Sequence, residues 1–106
     1  MNEPFRRRAK KLIDRIVHQR LFLIETGKSK NFITWQQCKS VWEQSERLRS
    51  DKQFAEFIQE NEDLLLHMVA GNNNTNQLPI KQLIREAKSL AVKTGTPIQT
   101  QIKFDI

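Results

Sequence analysis

Between positions 6 and 15 the chain carries six cations: Arg6, Arg7, Arg8, Lys10, Lys11 and Arg15. Arginine meets phosphate or carboxylate through paired N–H donors, and lysine does so as a compact point charge. Each phosphate such groups neutralise adds affinity that is indifferent to base sequence and falls with salt. These six are therefore the candidate contacts for nucleic acid, DNA or RNA alike, or for an anionic protein partner. A second set is apolar: Leu21, Phe22, Trp35, Trp42, Ile102 and Phe104 offer more hydrophobic surface than a core of four helices requires. They are the candidate contacts for a protein partner, including a second copy of this chain in a homodimer.

Other chemistry is poorly provided for. His18, His67 and Cys38 fall in three different segments, with no H-x-x-x-H or C-x-x-C spacing, so no metal site is expected. Cys38 lies on the apolar side of its segment, where an inert buried thiol is the ordinary outcome. The glycines, Gly27, Gly71 and Gly95, each stand where a helix should stop, and none belongs to a phosphate-binding loop. Glu60, Glu62 and Asp63 sit on a charged turn that a solvated face explains as well as acid–base chemistry does. The expectation is a protein that is not an enzyme and needs no cofactor.

The charge is polarised along the chain. Residues 1–30 hold nine basic and three acidic side chains, residues 31–70 four and seven, and residues 71–106 five and two. Basic ends around an acidic middle favour an anionic partner or association between unlike regions. The 106 residues suffice for a single modest core, hence one domain over 1–106. The longest apolar run, Leu21 to Ile24, is far short of a membrane span, and no such span is expected. Asp14, Arg15, His18 and Arg20 interrupt what a secretory signal would need as a continuous apolar stretch, and Glu3 and Asp14 count against a mitochondrial presequence. A lone cysteine fits a reducing, cytoplasmic setting.

Helical periodicity positions the candidate groups. From Pro4 to about Glu25, Phe5, Ala9, Leu12, Ile13, Ile16, Val17, Leu23 and Ile24 share one face. Arg7, Lys11, Asp14 and His18 take the opposite face, with Lys10 on one flank and Arg8 and Arg15 on the other. Three residues break the pattern: Leu21 and Phe22 point away from the apolar stripe, and Arg20 falls within it. Cations at a helix start oppose the helix dipole by about 0.3–1 kcal/mol each, so Arg6, Arg7 and Arg8 are not there for helix stability. A second helix is expected from Trp35 to Arg49, begun by a Thr34/Gln37 capping box, and a third from Ser50 with Gln53 towards Ala70. Glu60–Asp63 either forms a polar outer turn of that helix or breaks it in two, with Asn61 capping the second piece; one continuous helix with a kink there is the reading preferred. The run Gly71–Gln77 is a loop, and a fourth helix follows from Pro79 to about Lys93.

The remainder, 96–106, reads as a strand, a short helix or a disordered tail, the extended form being preferred. Thr96, Pro97 and Gln99 look like a helix start, whereas Ile98, Ile102, Phe104 and Ile106 alternate as in a strand. The segment Leu83–Lys103 resembles a helix-turn-helix, through Ala91, Gly95 and Pro97. That resemblance implies a short docking helix whose base-reading residues are Gln99, Thr100 and Gln101. The fold class expected is all-α: a bundle of about four helices with an extended or short-helical C-terminal tail. The function expected is that of a small basic accessory or regulatory protein binding nucleic acid through its first helix. The alternative is a non-enzymatic protein–protein interaction adaptor, or a subunit of a larger complex, with the basic N-terminus docking an acidic partner.

Overall fold

Helix α1 (Phe5–Glu25) is the longest element of the computed structural model, which describes residues 3–71 and 76–93. Its apolar stripe is buried as the periodicity predicts: Phe5, Ala9, Leu12, Ile13, Ile16 and Val17. Four further helices follow: α2 (Trp35–Glu46), α3 (Asp51–Glu60), α4 (Glu62–Val69) and α5 (Gln77–Lys93). The fold is all-α, a bundle with no strand among the described residues. α3 packs most extensively on α5, α4 also lies against α5, and α2 covers α1 alone through Cys38, Val41 and Ser45. The core is continuous from α1 through Phe54, Phe57 and Ile58 of α3 to Leu65, Met68 and Val69 of α4 and Ile80, Leu83, Ile84 and Ala87 of α5.

The helix ends follow local chemistry. Both capping boxes form, Thr34 with Gln37 and Ser50 with Gln53. α1 ends in a Schellman turn: Gly27, at φ 73°, donates its N–H to the Ile24 carbonyl, and Lys28 donates to Leu23. α2 stops three residues earlier than Arg49, since the N–H groups of Arg49 and Ser50 already donate to the Gln53 side chain at the start of α3. α1 has no side-chain cap of its own. Instead Asp51, in the first turn of α3, accepts the Arg6 backbone N–H at 2.9 Å, so one carboxylate serves two helix starts.

The expectation of one helix from Ser50 towards Ala70 is corrected. The chain breaks at Asn61, whose backbone leaves the helical region at φ −111°, ψ 20°. Its Nδ2 donates back to the Phe57 carbonyl at 2.9 Å, and the Asn61 N–H donates to the same oxygen. A side chain that competes for the backbone ladder in this way favours a break over continuation. Of the loop Gly71–Gln77, residues 72–75 lie outside the described residues, as does the expected 96–106 tail with Ile102 and Phe104. The helix-turn-helix resemblance cannot be placed for the same reason: its second half belongs to those residues.

Arg20, the residue that breaks the apolar stripe of α1, is fully buried. Its Nε and Nη2 donate to the Met68 carbonyl at 3.0 and 2.6 Å, Nη2 reaches Ala70 O at 3.0 Å, and Nη1 reaches Ser29 Oγ at 3.1 Å. Asn31 Nδ2 donates to His67 O at 2.8 Å, and Gln77 Nε2 to Val69 O at 3.2 Å. The carbonyls that end α4 are thus met by side chains from α1, the α1–α2 connection and α5. Replacing Arg20 by Ala or Met leaves buried acceptors unmet, each at a cost of about 1–3 kcal/mol. Urea unfolding of Arg20→Met should show a loss of roughly 3 kcal/mol or more. Arg20→Lys should recover only part of it, since one ammonium cannot reproduce the fork.

Candidate nucleic-acid interface

The α1 helix divides the six candidate cations between two sides. Arg6, Arg7 and Lys10 border a groove against the end of α2 and the start of α3, lined also by Ser45, Leu48, Arg49 and Phe54. Arg8, Lys11 and Arg15 border a second groove, against Pro79, Gln82 and Glu86 of α5. Arg49, which the sequence reading did not single out, joins the first group because the turn after α2 folds it back beside α1. Its guanidinium donates to the Glu46 and Leu48 carbonyls, which fixes its place.

The two sides differ in how firmly their cations are held. Lys10 is three-quarters buried: its Nζ bonds Asp14 at 2.7 Å and Ser45 Oγ at 2.9 Å, pairs with Glu46, and lies 5.4 Å from the Trp42 ring. That makes it chiefly a strut between α1 and α2. Arg8 is bidentate on Glu86, with Nη1 to Oε1 at 2.9 Å, and its guanidinium also lies over the Phe5 ring. Lys11 pairs with Glu3 at 2.7 Å, Arg6 with Asp51 at 3.8 Å, and Arg15 Nη1 donates to Asn76 Oδ1 at 3.4 Å. Among the described residues Arg7 makes no ion pair. Exposed pairs of this kind contribute about 0–1 kcal/mol each and exchange readily with a competing anion.

Positions 8, 11, 15, 18 and 22 are separated by steps of three and four, so they form one line along α1. Every one of them is exposed: Arg8, Lys11, Arg15, His18 and Phe22. Lys11 and His18 lie opposite the buried stripe, while Arg8 and Arg15 lie on its flank beside α5. Of the candidate protein contacts, Leu21 and Trp42 are half-buried against the core, while Phe22 and Trp35 stand out in solvent at 57% and 42% exposure. Phe32, at 99%, is the most exposed aromatic side chain among the described residues and was not anticipated. A signal for it existed: the capping box at Thr34 puts Ile33 in the position that packs back onto the helix, which leaves Phe32 outside.

Cys38 is buried, and desolvation pushes its thiol up to about 11 despite the nearby Arg20 charge. The histidines are far apart in the chain, and among the described residues no three His, Cys, Asp or Glu side chains are grouped to hold a metal ion. No helix among the described residues is long and apolar enough to cross a membrane. No protein-family model, curated protein or solved structure matches this chain.

Two measurements follow from these environments. The Cys38 thiol should react with a disulfide reagent at pH 8 only as fast as the fold opens, and immediately in denaturant. The Glu86 carboxyl is held below its ordinary range, chiefly by its hydrogen bonds from Arg8. Its contribution is therefore full above the ordinary carboxylate range and is lost as pH falls through the lowered value. Glu86→Gln should cost less than about 1 kcal/mol at neutral pH, the pair being exposed. In chemical unfolding followed against pH, the difference between the two proteins should vanish in acid.

Proposed function

We propose that this chain is a small non-enzymatic accessory protein that binds nucleic acid through the cationic side of α1. The observation that carries the reading is the exposed line Arg8, Lys11 and Arg15 along the α5 flank of α1, with Arg7 exposed on the face opposite the buried stripe. A rigid helix presenting a cation at every turn matches a polyanion, because each contact releases a condensed counterion. The carboxylates that hold Arg8 and Lys11 in the free protein are partly exposed, so phosphate replaces them at little cost. Arg8, already splayed to grip two oxygens of Glu86, has the fork geometry that phosphate takes.

A second reading rests on the same pairs. Arg6, Arg8 and Lys11 each meet a carboxylate, Asp51, Glu86 and Glu3, and an acidic protein surface can offer the same groups. This is the adaptor reading, with the basic end of α1 docking into a larger assembly.

Fluorescence anisotropy with labelled oligonucleotides separates them. Binding should survive physiological salt and weaken linearly with the logarithm of salt concentration. Lys11→Ala combined with Arg15→Ala should lower that slope by about 1.4–1.8, two phosphate contacts' worth. Both side chains are exposed, so circular dichroism should show the helices unchanged. Absence of binding at physiological salt, with the fold intact, would leave the acidic-partner reading in its place.

A further inference from the structure

The cationic line on α1 runs into a set of solvent-exposed aromatic rings. His18 lies one turn before Phe22, and Phe22 one turn before Glu25, whose Oε2 accepts the Trp35 indole N–H at 3.1 Å. That bond ties the end of α1 to the start of α2. Phe32 stands three residues before Trp35, and its neighbours are fastened: Asn31 Nδ2 donates to His67 O, and the Ile33 N–H donates to Asn31 Oδ1 at 3.1 Å. Ile33 itself packs on the core. The ring of Phe32 is therefore held out by a backbone pinned on both sides.

Along the sequence that carries these rings the charges are mostly basic. Residues 18–41 contain Lys28, Lys30 and Lys39 together with the buried Arg20, against a single carboxylate, Glu25. Glu25 is engaged by Trp35, and the Lys39 ammonium lies 4.9 Å from the Trp35 ring. Phe22 continues the cation line of α1, and exposed aromatic faces beside cations complement a polyanion that also presents flat apolar surfaces. A single-stranded nucleic acid is such a molecule, because its unpaired bases can leave the strand axis and stack on side chains. A duplex keeps its bases stacked inside and offers them to an exposed phenylalanine only at the cost of unstacking a base step.

We infer that the nucleic acid bound along α1 is single-stranded, with phosphates on Arg8, Lys11 and Arg15 and bases stacked on Phe22 and Phe32. The inference rests on the binding reading above and narrows its ligand. Phe22 and Phe32 supply stacking surface without belonging to the core, which is why the chain carries two large apolar side chains in water at this end.

The test uses the full chain and three labelled probes: oligo-uridine, oligo-thymidine and a mixed-sequence DNA duplex, at physiological salt. At least one single strand should bind about tenfold or more tightly than the duplex. The double variant Phe22→Ala, Phe32→Ala should weaken single-strand binding about tenfold or more while leaving the thermal midpoint and duplex affinity unchanged. Phe22→Trp with Phe32→Trp should restore it, since stacking needs a ring and not this particular one. Equal or tighter binding of the duplex would overturn the inference and leave nucleic-acid binding standing, as would full single-strand affinity in the alanine variant. No binding of any probe would overturn both, and would return the aromatic rings to a protein partner.

Discussion

The fold depends on how the carbonyl end of α4 is satisfied inside the protein. An eight-residue helix finishes against α1 with its Met68 carbonyl buried and those of Val69 and Ala70 partly so, and a buried carbonyl left unmet would cost free energy of order 1–3 kcal/mol. Arg20 resolves most of this by lying in the middle of an otherwise apolar stripe and giving its fork of donors to Met68 and Ala70. Its charge also faces the negative end of the α4 dipole, which offsets part of the cost of burying a guanidinium. Asn31 and Gln77 complete the set, so one short helix end holds together α1, the connection after it and the start of α5. The same bond network is what pins the backbone beside Phe32. A stability device and an exposed aromatic ring are thus consequences of one local constraint.

The opposite end of the molecule is governed by charge. Three arginines in succession at the start of α1 are unfavourable to the helix itself, and the structure shows how the fold tolerates them. Asp51 caps α1 from α3, Glu86 grips Arg8 from α5, and Glu46 reaches Lys10 from α2. Acidic groups from the middle and the last helix therefore converge on the basic N-terminus, and the polarisation seen along the chain is partly neutralised in space. What remains available lies along a single line, with Arg7 beside it, and that residue is without an ion pair among the described residues. Surface pairs at this exposure are too weak to withhold the cations from a stronger anion.

Much of the architecture was legible in the residues because it is written in short-range terms. The α1 stripe, the two capping boxes and the glycine stop after α1 depend on neighbours within four or five positions, and each appears where the spacing predicts. The burial of Cys38 was legible for the same reason, being set by its place on the α2 face. The break at Asn61 was legible only as one of two readings, because a polar residue in mid-helix can point outward or turn back on the Phe57 carbonyl, and composition does not decide between these.

The sequence by itself determined that the chain is helical, where α1 is apolar and where it is basic, and that Arg20 and Phe22 violate that division. Only the tertiary structure decided what those violations mean. Arg20 is buried because a second helix happens to end beside it with acceptors to fill, a coincidence between residues 48 positions apart that no local pattern encodes. The six cations separate into two sides because α2 and α5 flank α1, each bringing its own carboxylates. Phe32 stands in water because Asn31 and Ile33 are both drawn inward by contacts distant in the chain. Periodicity reports which face a residue occupies, and packing alone reports what lies against that face.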